Sequence, residues 1–235
     1  MGTDQARRGG SAGVSERRDA AAPPPDSPQR GLRSFLKAAL PEFAATIVRD
    51  CRGLPRPVAV TYLRLRALRA IGLRSDRAKL RRRPPPRSLL FVCHGNVMRS
   101  PVAAELFVMR LGAASPQFAV ASAGTWTTNG RPADPRAVLA AADLGISLTS
   151  HRSRLLTPLM IERSDLICAM DYRNEAEVVA RFPRAARKTI LLGGVDRPVS
   201  PSIDDPFSRD ADDVARIYGR LSASIDALVA RLRPR

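Results

Sequence analysis

The sequence predicts an α/β fold for the chain from Ser88 onward: a parallel four-stranded sheet with helices on both faces, doubly wound. Three observations carry that prediction. Short apolar runs bounded by turn residues recur as "SLLFV", "FAVASAG", "DLICAM" and "KTILLGG", as strands buried on both faces should. Each is followed by residues at helical spacing, and such alternation builds right-handed βαβ units. The helical stretches also carry start and stop signals where those units need them.

Taken in order, "SLLFV" (88–92) is a strand, and "SPVAAELFVMRLG" (100–112) is a helix opened by Pro101 and stopped by Gly112. "FAVASAG" (118–124) is the second strand. "DPRAVLAAADLG" (134–145) follows as a helix with Asp134 as N-cap and Pro135 at its first position. "DLICAM" (165–170) is the third strand and leads into the helix "DYRNEAEVVARF" (171–182). "KTILLGG" (188–194) is the fourth, and an amphipathic helix over 210–232 closes the fold. In such sheets the working site lies beyond the carboxyl ends of the strands.

The residues before Ser88 have a different texture. Of 235 residues with a net charge of +17, the stretch through Arg87 holds 20 basic against 7 acidic residues, and the remainder 19 against 15. Residues 1–30 are rich in Gly, Ala, Ser, Pro and Arg and are expected to be disordered, since they bury too little apolar surface to offset chain entropy. Residues 31–87 read as a basic, partly helical extension. "SFLKAAL" and "YLRLRALRAIGL" are its helical pieces, Pro41, Pro55 and Pro57 break it, and the stiff "KLRRRPPPR" closes it. This suggests a solvated tail separable from the 88–235 domain, so that deletion of 1–85 leaves a soluble, active protein. Its basic amphipathic stretch also suits an anionic membrane surface or a polyanion.

Three cysteines, Cys51, Cys93 and Cys168, make no disulfide framework, and a reducing, cytoplasmic location is the default. No apolar run approaches the roughly 18 residues that span a bilayer. The N-terminus has a twin arginine with no apolar stretch behind it, and no Ser or Thr at position 6. It is therefore expected to be neither an export signal nor a myristoylation site.

The chemistry concentrates in "VCHGNVMRSP" (92–101). A loop between a strand and a helix N-terminus gathers backbone N–H groups around one concavity that favours an anion, phosphate above all. The same field stabilises a thiolate at Cys93 and makes it a competent nucleophile. Arg99 presents a planar fork that matches two phosphate oxygens. The backbone of His94, Gly95, Asn96, Val97, Met98, Arg99 and Ser100 forms the cradle. Gly95 allows close approach, Asn96 tolerates left-handed φ, and the Ser100 hydroxyl can support the Cys93 sulfur.

With its Gly, Asn, Ser and Pro at fixed offsets, this segment resembles the phosphate-binding loop V-C-x-G-N-x-C-R-S-P of the low-molecular-weight protein tyrosine phosphatases. "SAGT" (122–125), "PADPRA" (132–137), "HRSR" (151–154), "DLICAMD" (165–171) and "DDPF" (204–207) follow in the family's order, so the resemblance covers residues 88–235. It implies hydrolysis of phosphotyrosine through a cysteinyl-phosphate, with Asp205 of Asp-Pro-Phe as general acid. Asp204 is the local rival, disfavoured by its register against Pro206. It further implies that His151 braces the loop through Asn96 and that Asp171 and Asn174 sit near the mouth, where both can equally cap the following helix. Trp126 and Phe207 are implied as pocket walls. The implied partner is a phosphotyrosine protein, a tyrosine kinase among the candidates, with no metal and no cofactor.

Two positions depart from the pattern: Met98 replaces a second cysteine, and Ser208 stands where some members carry another aromatic. Arsenate reduction on the same fold is a rival, but it needs further cysteines, and the domain offers only Cys168 in a buried strand. A phosphate binder without turnover is the other rival, and it has no use for nucleophile and acid together.

Overall fold

A computed structural model describes residues 45–81, 84–196 and 200–233. The expectations for residues 1–30 and for "SFLKAAL" lie outside the described residues. Residues 45–51 are helical, and α1 (Arg56–Ala70) and α2 (Asp76–Leu80) follow them ahead of the sheet. Five more interleave with or follow its strands: α3 (Arg99–Leu111), α4 (Pro135–Asp143), α5 (Pro158–Arg163), α6 (Tyr172–Arg181) and α7 (Ala211–Leu232). The sheet is parallel, in the order β2 (Ala119–Gly124), β1 (Ser88–Cys93), β3 (Leu166–Ala169) and β4 (Thr189–Leu191).

Period-two alternation decides which side chain goes to which face. Leu89, Phe91 and Cys93 of β1 point into one core with Val102 and Leu106 of α3, Ala137 of α4, and Ile217 and Leu221 of α7. Leu90 and Val92 point into the other, with Ile161 of α5 and Val178 of α6. The cap predicted at Asp134 accepts from Arg136 N, and the one offered at Asp171 accepts from Asn174 N. Asp210, which the sequence reading did not name, caps the closing helix by accepting from Asp213 N. Gly112 ends α3 at φ 58°, a conformation a side chain disfavours. The sequence reading missed α5 and overran β4, whose tail Leu192–Gly194 winds into a 3₁₀ turn.

Residues 54–80 depart from the expectation of a solvated tail. Pro57 does not break α1; it sits in the first turn, where a missing N–H costs nothing. Val58 and Tyr62 of α1 pack on Ala176 of α6, with Leu54, Tyr172 and Ala180 around them. Glu175, 0 % exposed, receives both nitrogens of the Arg74 fork at 2.9 and 2.5 Å, and Arg69 Nη2 reaches both of its oxygens at 3.0 Å. Arg69 Nη1 also pairs with the buried Asp76 at 2.5 Å. The extension covers the sheet edge as well. Arg74 and Lys79 donate to Thr189 O at 3.2 and 2.5 Å, and Leu191 N donates to Asp76 Oδ1 at 3.2 Å. Side chains of α2 and its approach thus occupy backbone groups that an edge strand otherwise leaves open. Three of the basic residues that suit a polyanion in the bare sequence, Arg69, Arg74 and Lys79, face the protein itself.

Among the described residues, no helix is long and apolar enough to cross a membrane.

Candidate active site

The loop between β1 and α3 is held in shape from behind. Asn96 is the single non-glycine residue at positive φ among the described residues, 52°, and it is fully buried. Its side chain donates to Ser100 Oγ and Ser122 Oγ, both at 2.9 Å, and accepts from Arg154 N at 2.8 Å. Its carbonyl meets His151 Nε2 at 2.7 Å, so that nitrogen carries the proton. Burial lowers the His151 pKa from its ordinary value, and the imidazole stays a neutral donor. Every polar group of Asn96 is engaged, which holds a backbone conformation that costs free energy in isolation.

A second constraint comes from Gly124 at the end of β2. A Cβ there lies 2.7 Å from His94 O and 3.1 Å from Asn96 N, so only glycine lets the strand pass the loop. Thr125 N and Trp126 N then donate to Cys93 O and His94 O at 2.9 and 3.0 Å.

Around Cys93 Sγ stand Ser100 Oγ at 3.0 Å and Asn96 N, which donates at 3.2 Å. Arg99, 2 % exposed, reaches across from the first turn of α3. Its Nη1 is anchored to interior acceptors, Asp171 Oδ2 at 2.6 Å and Ile203 O at 2.9 Å. Its Nη2 meets Asp205 Oδ2 at 2.9 Å, and that carboxylate is about half exposed. One nitrogen is therefore fixed by the fold, while the other faces a group with access to solvent. Asp171 makes the helix cap that the sequence offered, through Oδ1, and its Oδ2 orients Arg99 from behind the pocket wall. Asn174, by contrast, is buried in the first turn of α6, with its backbone N–H on that cap. Ile203 N donates to Met170 O at 2.8 Å and pins the loop carrying Asp205 to the end of β3.

These parts enclose a pocket of about 290 Å³ lined by Cys93, His94, Gly95, Val97, Met98, Arg99, Trp126, Arg131, Asp205 and Phe207. Asp204 does not line it. Asn96, Ser100, His151 and Asp171 stand behind the wall as supports. Cys93 is the one cysteine on the pocket lining. Cys168 is fully buried on β3, and burial pushes its thiol pKa far up. Among the described residues no group of acidic, His and Cys side chains is arranged to hold a metal.

Sequence reasoning missed Arg131, Glu177 and the reason for Gly124. Thr125 Oγ1 donates to Glu177 on α6, whose other oxygen lies 3.8 Å from His94 Nδ1. That distance is an ion pair short of a hydrogen bond. The Glu177 carboxylate raises the His94 pKa from its ordinary value, and burial opposes it. "SAGT" signalled the strand end, but nothing in "NEAEVV" marked Glu177 as part of the mouth.

The chain has relatives among known proteins. The family described as low molecular weight phosphotyrosine protein phosphatase matches residues 88–235. A probable low molecular weight protein-tyrosine-phosphatase, EpsP of Ralstonia solanacearum, is 35% identical over 147 residues, which is 63% of this chain and 97% of that protein. Among solved structures, the Erwinia amylovora tyrosine phosphatase AmsI superposes with a TM-score of 0.58 at 32% identity, covering 65% of this chain and 98% of that one. The YwlE arginine phosphatase from Geobacillus stearothermophilus does so with a TM-score of 0.58 at 32% identity, over 63% and 93%.

Proposed function

The chain belongs, through residues 88–235, to the low molecular weight phosphotyrosine protein phosphatase family, and on that premise we propose that it hydrolyses phosphotyrosine in proteins with Cys93 as nucleophile, Arg99 as clamp and Asp205 as proton donor. The observation that carries this reading is one pocket lined by a thiol and a buried guanidinium from the β1–α3 loop and a half-exposed carboxylate from a separate loop late in the chain.

In the first step the Cys93 thiolate attacks phosphorus in line with the tyrosyl oxygen. The S–P bond forms, the P–O bond breaks, and Asp205 delivers its proton to the departing phenolate. Loop N–H groups and Arg99 bind the equatorial oxygens, where charge is greatest in the transition state. Arg99 Nη2 exchanges the Asp205 carboxylate for phosphate oxygen, while Asp171 and Ile203 O keep Nη1 in place. In the second step Asp205, now ionised, takes a proton from water as that water attacks phosphorus. The S–P bond breaks and Cys93 leaves as a thiolate that Ser100 Oγ and Asn96 N stabilise.

The aromatic walls Trp126 and Phe207 suit an aryl leaving group, which supports a tyrosyl ester over an alkyl one. Likeness to an arginine phosphatase makes phosphoarginine the substrate to run alongside. The test is release of inorganic phosphate from a phosphotyrosine peptide, a phosphoserine peptide and a phosphoarginine peptide. The reading expects turnover of the first, abolished in Cys93→Ser. Equal or better turnover of phosphoarginine overturns the substrate assignment.

We further assign the catalytic unit to residues 88–235, with residues 54–80 as a part docked on it rather than a free arm. No described feature favours arsenate reduction, since no second thiol lines the pocket.

A further inference from the structure

Beside the catalytic pocket lies a second, larger cleft of about 740 Å³, and one of its walls comes from outside the family-matched region. That wall is Gly53, Leu54, Pro55, Pro57 and Val58, the approach to α1 and its first turn. The opposite wall is α6, through Arg173, Glu177, Ala180 and Arg181. His94 and Trp126 line both the cleft and the catalytic pocket, so the two adjoin. We propose that this cleft binds the polypeptide flanking the phosphotyrosine, taking an apolar side chain next to an acidic one. This inference rests on the phosphotyrosine reading above and extends it.

Four features select that occupant. Trp126 is 75 % exposed, and a large aromatic left in water at the junction of two cavities gains by being covered. The wall from the extension is apolar and carries two prolines, so it loses little conformational freedom on binding. The charges are lopsided. Glu177 is already engaged by Thr125 and His94, while Arg173 is exposed on the rim, and Arg181 reaches Thr125 O at 3.0 Å. The field left for a ligand is positive and suits a carboxylate. Finally, the side of the catalytic pocket formed by His94 and Trp126 is also a side of the cleft, so a chain that leaves the pocket there enters the cleft.

The consequence is a division of labour between the two cavities. A small aryl phosphate fills only the catalytic pocket, whereas a peptide also uses the cleft. Burying one leucine-sized side chain there corresponds to about ten- to a hundredfold in kcat/KM.

The experiment compares para-nitrophenyl phosphate, a phosphotyrosine peptide flanked by Leu and Asp on both sides, and one flanked by Ser and Gly, in the full chain. The variants are Pro57→Glu and Arg173→Glu, both at exposed positions in the first turn of a helix, where an acid is tolerated. Wild type is expected to prefer the Leu/Asp peptide by at least tenfold, mostly in KM. Each variant is expected to lose most of that preference while keeping its rate on para-nitrophenyl phosphate. In the Cys93→Ser protein, the chain's one tryptophan is expected to shift its emission to the blue with the Leu/Asp peptide and less with the other. Turnover of para-nitrophenyl phosphate with no flank preference, or a preference that both variants retain, overturns the cleft and leaves the phosphatase standing. Absence of aryl phosphate turnover overturns both.

Discussion

Replacing Arg74 by methionine tests whether residues 54–80 are part of the folded protein. Arg74 lies far from the pocket in sequence, and in a solvated tail its loss would change stability by about 0–1 kcal/mol, the range for exposed pairs. Here its side chain is 8 % exposed and binds the fully buried Glu175 through Nε and Nη2, while also donating to Ala186 O and Thr189 O. Methionine keeps most of the apolar stem and removes all four donations. Glu175 is then left with Arg69 alone, which it already shares with Asp76. Breaking a buried pair on one side costs about 3–5 kcal/mol, and the lower end applies because Arg69 remains. With an m-value of about 2 kcal/mol/M in urea, the unfolding midpoint falls by about 1.5 M at unchanged slope. The companion Arg74→Met/Glu175→Leu removes both partners and is expected to recover at least half of the loss. Urea unfolding followed by far-UV circular dichroism measures both. A midpoint shift under about 0.5 M for Arg74→Met would refute the docked extension. The same reasoning reverses the expectation drawn from the Pro/Arg linker. Deleting residues 1–85 exposes Glu175, Tyr172 and the β4 edge together, so the truncated protein is expected to be destabilised and aggregation-prone.

Three further outcomes follow from the site. Asp205→Asn lowers kcat by about 10²- to 10⁴-fold on phosphotyrosine and less on para-nitrophenyl phosphate, whose leaving group needs no proton, whereas Asp204→Asn, off the pocket lining, changes little. A reversal of those two effects in steady-state assays would show the wrong register. The His94 titration followed by NMR has its midpoint above 6.5, and Glu177→Gln brings it down. The stabilisation linked to that proton is complete below 6.5 and disappears as pH rises through the folded value; a midpoint unmoved by the substitution contradicts it. Gly124→Ala drives a methyl against His94 O and Asn96 N and is expected to cut turnover at least tenfold, read as kcat on para-nitrophenyl phosphate with the fold checked by circular dichroism.

What was legible in the sequence was local. "SLLFV" and "DLICAM" announce buried strands by composition alone, and Asp134 with Pro135 announces a helix start, because those signals act over a few neighbouring residues. The phosphate loop was legible for the same reason, its cysteine, glycine, asparagine and arginine lying within one turn. Docking of the extension was not. Glu175 reads in "NEAEVV" as a solvated helix residue, and its partners Arg69 and Arg74 stand 106 and 101 positions earlier. Pro57 misled in the opposite direction, since a proline that breaks a helix and one that opens it look alike until the helix start is known. Asp171 shows a third limit. A place near the mouth and a helix cap were the two readings offered; one oxygen makes the cap, and the contact of the other with Arg99 was not foreseen, because a partner 72 positions earlier leaves no local signal. Glu177 and Arg131 reach the site through tertiary placement alone.

The most direct test of the central claim is to trap the covalent intermediate. The Asp205→Asn protein, which retains Cys93 and Arg99 but lacks the base that activates water, is mixed with para-nitrophenyl phosphate, quenched within the first turnover, and analysed by intact mass and peptide mapping. The proposed mechanism predicts one phosphoryl group per chain, carried on Cys93 and absent from the Cys93→Ser/Asp205→Asn protein. Phosphate release at an undiminished rate with Cys93 unmodified, or a phosphoryl group on any other residue, would contradict it.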